Sequence, residues 1–247
     1  MTYKMRTISL AAALSFGLAV AASAQELATF GSAELGGFGE GSGLLGVSMS
    51  TGKLGWGPVG QLIGQTYRYG NGANAYAQAY AISPAVGLQN SMAEGNFNVM
   101  VGYTFVNTEF TGIISGAEVG GKNGVFVSAQ GNYWGDGENN AQVIGSWGFA
   151  NDYYWTRFRA SHRLAPSPTP LYLGGEVVFQ GSQQTQTFGN VTTPTQFRYE
   201  LGPTIEYRFS NDFRVGASGG LRAGNNNVPS SGYARIEFLL LTKLNGM

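Results

Sequence analysis

Between residues 197 and 209 the chain alternates without a break: Phe197, Tyr199, Leu201, Pro203, Ile205, Tyr207 and Phe209 are apolar, while Arg198, Glu200, Gly202, Thr204, Glu206 and Arg208 are charged or small. Successive side chains of a strand point to opposite faces, so this stretch predicts a strand with one apolar and one charged face. The same period recurs in the neighbouring segments. Residues 232–244 set Ala234, Ile236, Phe238 and Leu240 against Tyr233, Arg235, Glu237 and Lys243, and residues 213–222 set Phe213, Val215, Ala217 and Leu221 against Arg214, Ser218 and Arg222. Residues 171–180 set Leu171, Leu173, Val177 and Phe179 against Tyr172, Glu176 and Gln180; residues 153–164 set Tyr154, Phe158, Ala160 and Leu164 against Arg157, Arg159, Ser161 and Arg163.

Upstream the alternation persists, with smaller and less charged residues on the polar side. Residues 115–134 keep one phase, with Val125, Val127, Ala129 and Tyr133 facing one way and Glu118, Lys122, Ser128, Gln130 and Asn132 the other. Segments 141–149, 97–106, 76–88, 58–69, 43–49 and 27–35 complete about twelve strands, separated by Gly, Asn, Asp, Ser and Pro clusters. Several segments reach ten residues, near the roughly 9 to 11 that cross a tilted bilayer and longer than the usual 5 or 6 of soluble strands. The reading is therefore a transmembrane antiparallel up-and-down β-barrel in a Gram-negative outer membrane, apolar toward lipid and polar inside, and not a sandwich that hides its apolar faces. Trp56, Trp134, Tyr153 and Trp155 lie beside turns and are expected to form interfacial girdles. Pro84 and Pro203 each remove a ladder hydrogen bond, which predicts a bulge or a local opening at both.

The first residues change where this barrel must reside. Lys4 and Arg6 precede an apolar run over residues 8–20, and Ala22-Ser23-Ala24 forms a cleavage pattern before Gln25. Residues 1–24 are expected to be a secretory signal peptide and residues 25–247 the barrel. With both termini on the periplasmic side, the strand number is even and the longer loops fall outside.

Composition narrows the chemistry. Fourteen basic and fourteen acidic side chains give zero formal charge, so no global field attracts nucleic acid. The absence of cysteine excludes thiol catalysis and cysteine-ligated metal, and a single histidine, His162, excludes a multi-histidine zinc site. No cofactor is expected. Ser161 is adjacent to His162 and so points to the opposite face, which argues against a serine–histidine pair and against a lipid-modifying enzyme. The sequon Asn190-Val191-Thr192 reads as loop composition.

The candidate site is the lumen itself. Arg157, Arg159, Arg163, Arg198, Arg208, Arg214, Arg222 and Arg235 share the inferred interior with Glu118, Glu176, Glu200, Glu206 and Glu237. One reading is a structural ion-pair network that fills the interior. The other is that surplus arginine lines a path for an anionic or hydroxyl-rich ligand.

Five stretches carry a resemblance: GAEVGGKNG (116–124), YYWTRFRASHRL (153–164), LYLGGEVVFQG (171–181), YELGPTIEYRF (199–209) and GYARIEF (232–238). They resemble the BcsS family of cellulose biosynthesis proteins. The resemblance implies an outer-membrane barrel that contacts membrane lipid and serves cellulose or exopolysaccharide export as a non-enzymatic accessory, with the polysaccharide or other cellulose-synthesis components as partners. A general small-solute pore is the rival reading.

Overall fold

The computed structural model describes residues 24–37, 40–70, 76–111, 123–135, 137–150, 152–164, 170–182, 186–188, 191–193, 196–225 and 230–244. Apart from Ala24, the expected signal peptide lies outside the described residues, as do Glu118, Lys122 and Asn190. The strands are β1 Glu26–Gly36, β2 Gly41–Ser50, β3 Gly55–Gly70, β4 Tyr76–Met92, β5 Gly95–Thr111, β6 Gly124–Tyr133, β7 Asn139–Gly148, β8 Tyr153–Arg163, β9 Leu171–Ser182, β10 Gln186–Phe188, β11 Val191–Thr193, β12 Gln196–Arg208, β13 Phe213–Gly224 and β14 Ser231–Lys243. Twelve of them close an antiparallel barrel in the order β1-β14-β13-β12-β9-β8-β7-β6-β5-β4-β3-β2, and β10 with β11 forms a separate two-stranded sheet. Each segment expected from the alternation holds one barrel strand.

Closure follows from the seam. β1 and β14 pair antiparallel from Glu26↔Lys243 to Gly36↔Tyr233, so the barrel has no open edge. Hydrocarbon offers no hydrogen bonds, and a closed ladder satisfies every strand internally. Both described ends of the chain meet at one rim, where Leu244 N donates to Gln25 O at 2.8 Å. The connections at that rim span residues 51–54, 93–94, 134–138, 164–170 and 209–212, and those at the opposite rim span 37–40, 71–75, 112–123, 149–152, 183–195 and 225–230. The two longest lie away from the termini, as the rule of long outer loops requires, while 37–40 and 149–152 are short, so the rule holds in part.

The faces sort as the pattern requires. Leu201 is 58% exposed and Ile236 57%, while Glu200 is 0%, Glu176 2% and Arg222 2% exposed. Apolar side chains thus cover the outside and charges fill the inside. Phe126 lies in the lumen over Gly102, where a Cβ on that glycine would fall 2.4 Å from the ring, and it packs against the buried cluster of Val59, Ala85 and Met100.

At both prolines the ladder opens without a bulge. β4–β5 pairing runs to Ile82↔Phe105 and resumes at Ala85↔Gly102 in unchanged register, and β12–β13 pairing skips from Leu201↔Leu221 to Thr204↔Ser218. The other side of each proline stays paired, as Leu62↔Pro84 and Pro203↔Gly175. A missing N–H breaks one ladder only, because a strand residue donates to one neighbour. At the second opening the backbones are close: a Cβ on Gly202 would fall 2.1 Å from Gly219 O.

One expectation is corrected. Tyr153 and Trp155 stand opposite Ser182 and Gln180 in the lumen phase, with the Arg157 guanidinium 5.8 Å from the Trp155 ring centroid, so neither belongs to a lipid girdle. The adjacent Tyr154 faces outward and stacks on Trp147 at 6.1 Å. Proximity to a turn does not reveal the phase of an aromatic residue, because a tyrosine can serve either face.

Ile236 occupies the middle of β14 on the lipid face, where arginine costs about 2–4 kcal/mol. Ile236→Arg is expected to lower the unfolding free energy in lipid vesicles by that amount, measured by guanidinium titration.

Candidate functional site in the barrel lumen

The lumen has two unlike walls. Among the described residues, every charged side chain in the lumen phase of a barrel strand belongs to β8, β9, β12, β13, β14 or β1. The remaining six strands, β2 to β7, present glycine, alanine, serine, amides and a few apolar groups.

On the charged wall the cross-strand register brings opposite charges together: Arg159↔Glu176, Glu200↔Arg222 and Glu34↔Arg235. Arg222 donates to Glu200 from Nε at 2.9 Å and from Nη2 at 2.7 Å, and to Glu40 from Nη1 at 2.8 Å. Arg235 donates to Glu176 at 2.7 Å, to Glu200 at 2.6 Å and, through Nε, to Glu34 at 2.9 Å. Glu34 also pairs with Arg222. Arg159 reaches Glu176 at 2.6 Å and also pairs with Glu237, to which Arg157 donates at 2.9 Å. Arg198 closes the chain on Glu40 at 3.1 Å. Gln180, with its amide oriented to satisfy both neighbours, donates to Tyr153 Oη at 2.6 Å and accepts from Arg198 Nη2 at 2.8 Å.

These contacts join Arg157, Arg159, Arg198, Arg222 and Arg235 to Glu34, Glu40, Glu176, Glu200 and Glu237 in one connected, equally balanced network. Its longest link runs from β8 to β14, which stand four places apart around the barrel, so Glu237 is met across the lumen. Burying ions is costly unless each is paired, and here each of these carboxylates meets at least two guanidinium groups.

A smaller cluster sits near the rim of the termini. Arg208 and Arg214 pair with Glu206 at 2.9 and 3.4 Å, and the Arg208 guanidinium stacks 4.2 Å from the Tyr172 ring centroid. Tyr172 Oη donates to Gly137 O at 2.7 Å, fastening the β6–β7 turn to β9. Arg163 shares the lumen phase opposite Tyr172, and its Nε is buried with no hydrogen-bond partner among the described residues.

The structure therefore places all the sequence-derived site residues in the lumen except Glu118, which lies outside the described residues. It adds two carboxylates to them. Glu34 is legible from its phase on β1 beside Ala33 and Leu35, but Glu40 enters from the β1–β2 turn, where no period exists. With these two carboxylates the apparent surplus of arginine vanishes from the main network. His162 faces outward, with Nδ1 2.9 Å from Asn139 Oδ1, while Ser161 is on the lumen phase opposite Gly174. No group of His, Cys, Asp and Glu suited to a metal ion occurs among the described residues.

The network continues into the uncharged wall. Arg157 Nη2 donates to Gln142 Oε1, Gln142 to Asn132 at 2.8 Å, and Asn132 to Asn96 at 2.7 Å.

Residues 46–240 match the family model described as cellulose biosynthesis protein BcsS. No curated protein matches significantly. Among solved structures, an outer-membrane channel from Pseudomonas putida F1 is similar with a TM-score of 0.57 at 8% identity, covering 89% of this chain and 96% of that one. The β-domain of a Bordetella autotransporter, BrkA, is similar with a TM-score of 0.51 at 12% identity, covering 87% of this chain and 98% of that one. Identities this low speak to fold: an outer-membrane barrel.

Arg157 has Glu237 as its ion-pair partner, and removing that carboxylate strands a lumen charge. Glu237→Ala is expected to cost about 3–5 kcal/mol in chemical unfolding, and the Arg157→Ala/Glu237→Ala double variant to recover part of that loss.

Proposed function

The chain belongs to the BcsS family of cellulose biosynthesis proteins, and on that premise we propose that it is a non-enzymatic accessory of cellulose production, held in the outer membrane as a braced barrel. The observation that carries this reading is the balanced ion-pair network, whose link from Arg157 to Glu237 crosses the lumen between strands four places apart. Channels for ions use rings of like charge or an open polar bore. Here the charges neutralise each other side by side, which favours stiffness over conduction. His162 faces outward and Ser161 faces the lumen, so these two neighbours do not pair, which argues against the lipid-enzyme reading.

Such a barrel supplies the cellulose machinery with a rigid fixture in the outer membrane, through which or beside which the polymer leaves the cell. Its partners are membrane lipid on the outside and the polysaccharide or another cellulose-synthesis component at the rims.

Two measurements test this. In planar bilayers the wild-type barrel is expected to show no large stable conductance steps, and the Arg157→Ala/Glu237→Ala double variant to raise the step size; large steps from the wild type would favour the pore. Deleting the gene in a cellulose-producing host is expected to change the amount or fibre form of secreted cellulose, and unchanged secretion contradicts the reading.

A further inference from the structure

We propose that the uncharged wall of the lumen, from β4 to β7 near the rim of the termini, is a binding surface for an uncharged, hydroxyl-rich glucan chain. The proposal rests on the reading above for the class of polymer and adds to it the place of contact.

The register builds this wall as two rows. Ser91, Asn96, Asn132 and Gln142 stand opposite one another in turn across four strands, and Gln89, Asn98 and Gln130 form the next row inward. Neighbouring strands lie about 4.8 Å apart, so the rows present amides at regular short intervals. A side-chain amide offers two donors and an acceptor, which matches vicinal hydroxyls that both donate and accept. An ionic ligand would need an opposite charge, and the strands of this wall carry none in the lumen phase among the described residues.

The wall is held in place yet not saturated. The Asn96–Asn132–Gln142 chain is tied to Arg157 and through it to the ion-pair network, so these amides are oriented before any ligand arrives. Asn98 is 7% exposed, and its Oδ1 has no hydrogen-bond partner among the described residues; Ser128 Oγ on β6 and Asn140 Nδ2 on β7 are likewise buried without one, while Asn140 Oδ1 accepts from Arg208 Nη2 at 2.7 Å. Buried polar atoms in native proteins are nearly always paired, and Asn98 Oδ1, in the middle of the inner row, is an acceptor that a sugar hydroxyl would complete.

The test is calorimetric titration of the full-length, detergent-solubilised barrel with cellohexaose, beside an oligogalacturonate of equal length as the anionic comparator. Saturable binding of cellohexaose alone is expected, weakened at least tenfold in Asn98→Ala and at least fivefold in Gln130→Ala and in Gln89→Ala. The last two positions are half-buried and keep the test readable if Asn98→Ala fails to fold. Absence of cellohexaose binding to the folded wild type, binding that survives the Gln89 and Gln130 variants unchanged, or preference for the anionic oligomer overturns the proposal. A cellulose phenotype on deletion together with any of these outcomes would leave the accessory role standing and this surface refuted.

Discussion

Backbone hydrogen bonding in a medium without water is the constraint from which the molecule follows. A strand that crosses hydrocarbon must pair on both sides, so the β1–β14 seam is as necessary as any hairpin, and the twelve strands must return to their start. Once the sheet is closed, the period of two leaves no freedom: one phase meets lipid and the other meets the enclosed interior. The two prolines show how little slack remains. Each breaks the ladder on one side, and the register carries through the gap unchanged.

Closure also determines the electrostatics. Guanidinium and carboxylate groups confined at the centre cannot be hydrated as on a surface, and they are tolerable only when matched. The network meets that condition by linking six strands and a turn into one neutral cluster, with Glu200 and Arg222 at its most buried point. On the opposite wall the interior is filled by other means. Alanine and glycine on β4 and β5 lie under Met100 and Phe126, and amides take over toward the rim of the termini. A lumen divided in this way joins a side braced by ion pairs to a side lined by amides and small residues.

Much of this is legible in the chain. Alternation at 197–209 and at its C-terminal neighbours yields the strand set and the inward phase of Arg157, Glu176, Glu200, Arg222 and Arg235, because strands long enough to cross a bilayer can carry charge on every second residue only if that side is kept from lipid. What alternation does not carry is where an element's polar face ends and a turn begins. Glu40 joins the network from a turn, and Tyr153 and Trp155 turn inward, since aromatic side chains are at home on either face. The division of the lumen into charged and uncharged walls follows from the up-and-down order, which keeps the charge-rich C-terminal strands side by side; what alternation leaves open is which charges meet across the lumen, as Arg157 and Glu237 do.

The central claim is the inside-out sorting of side chains, and the chain's lack of cysteine makes it directly accessible to nitroxide scanning. Single cysteines placed in turn at residues 198–208 of β12, spin-labelled in lipid vesicles, should show collision with dissolved oxygen that rises at Tyr199, Leu201, Ile205 and Tyr207 and falls at Glu200, Thr204 and Glu206. An oscillation of the opposite phase, or none, would contradict the account.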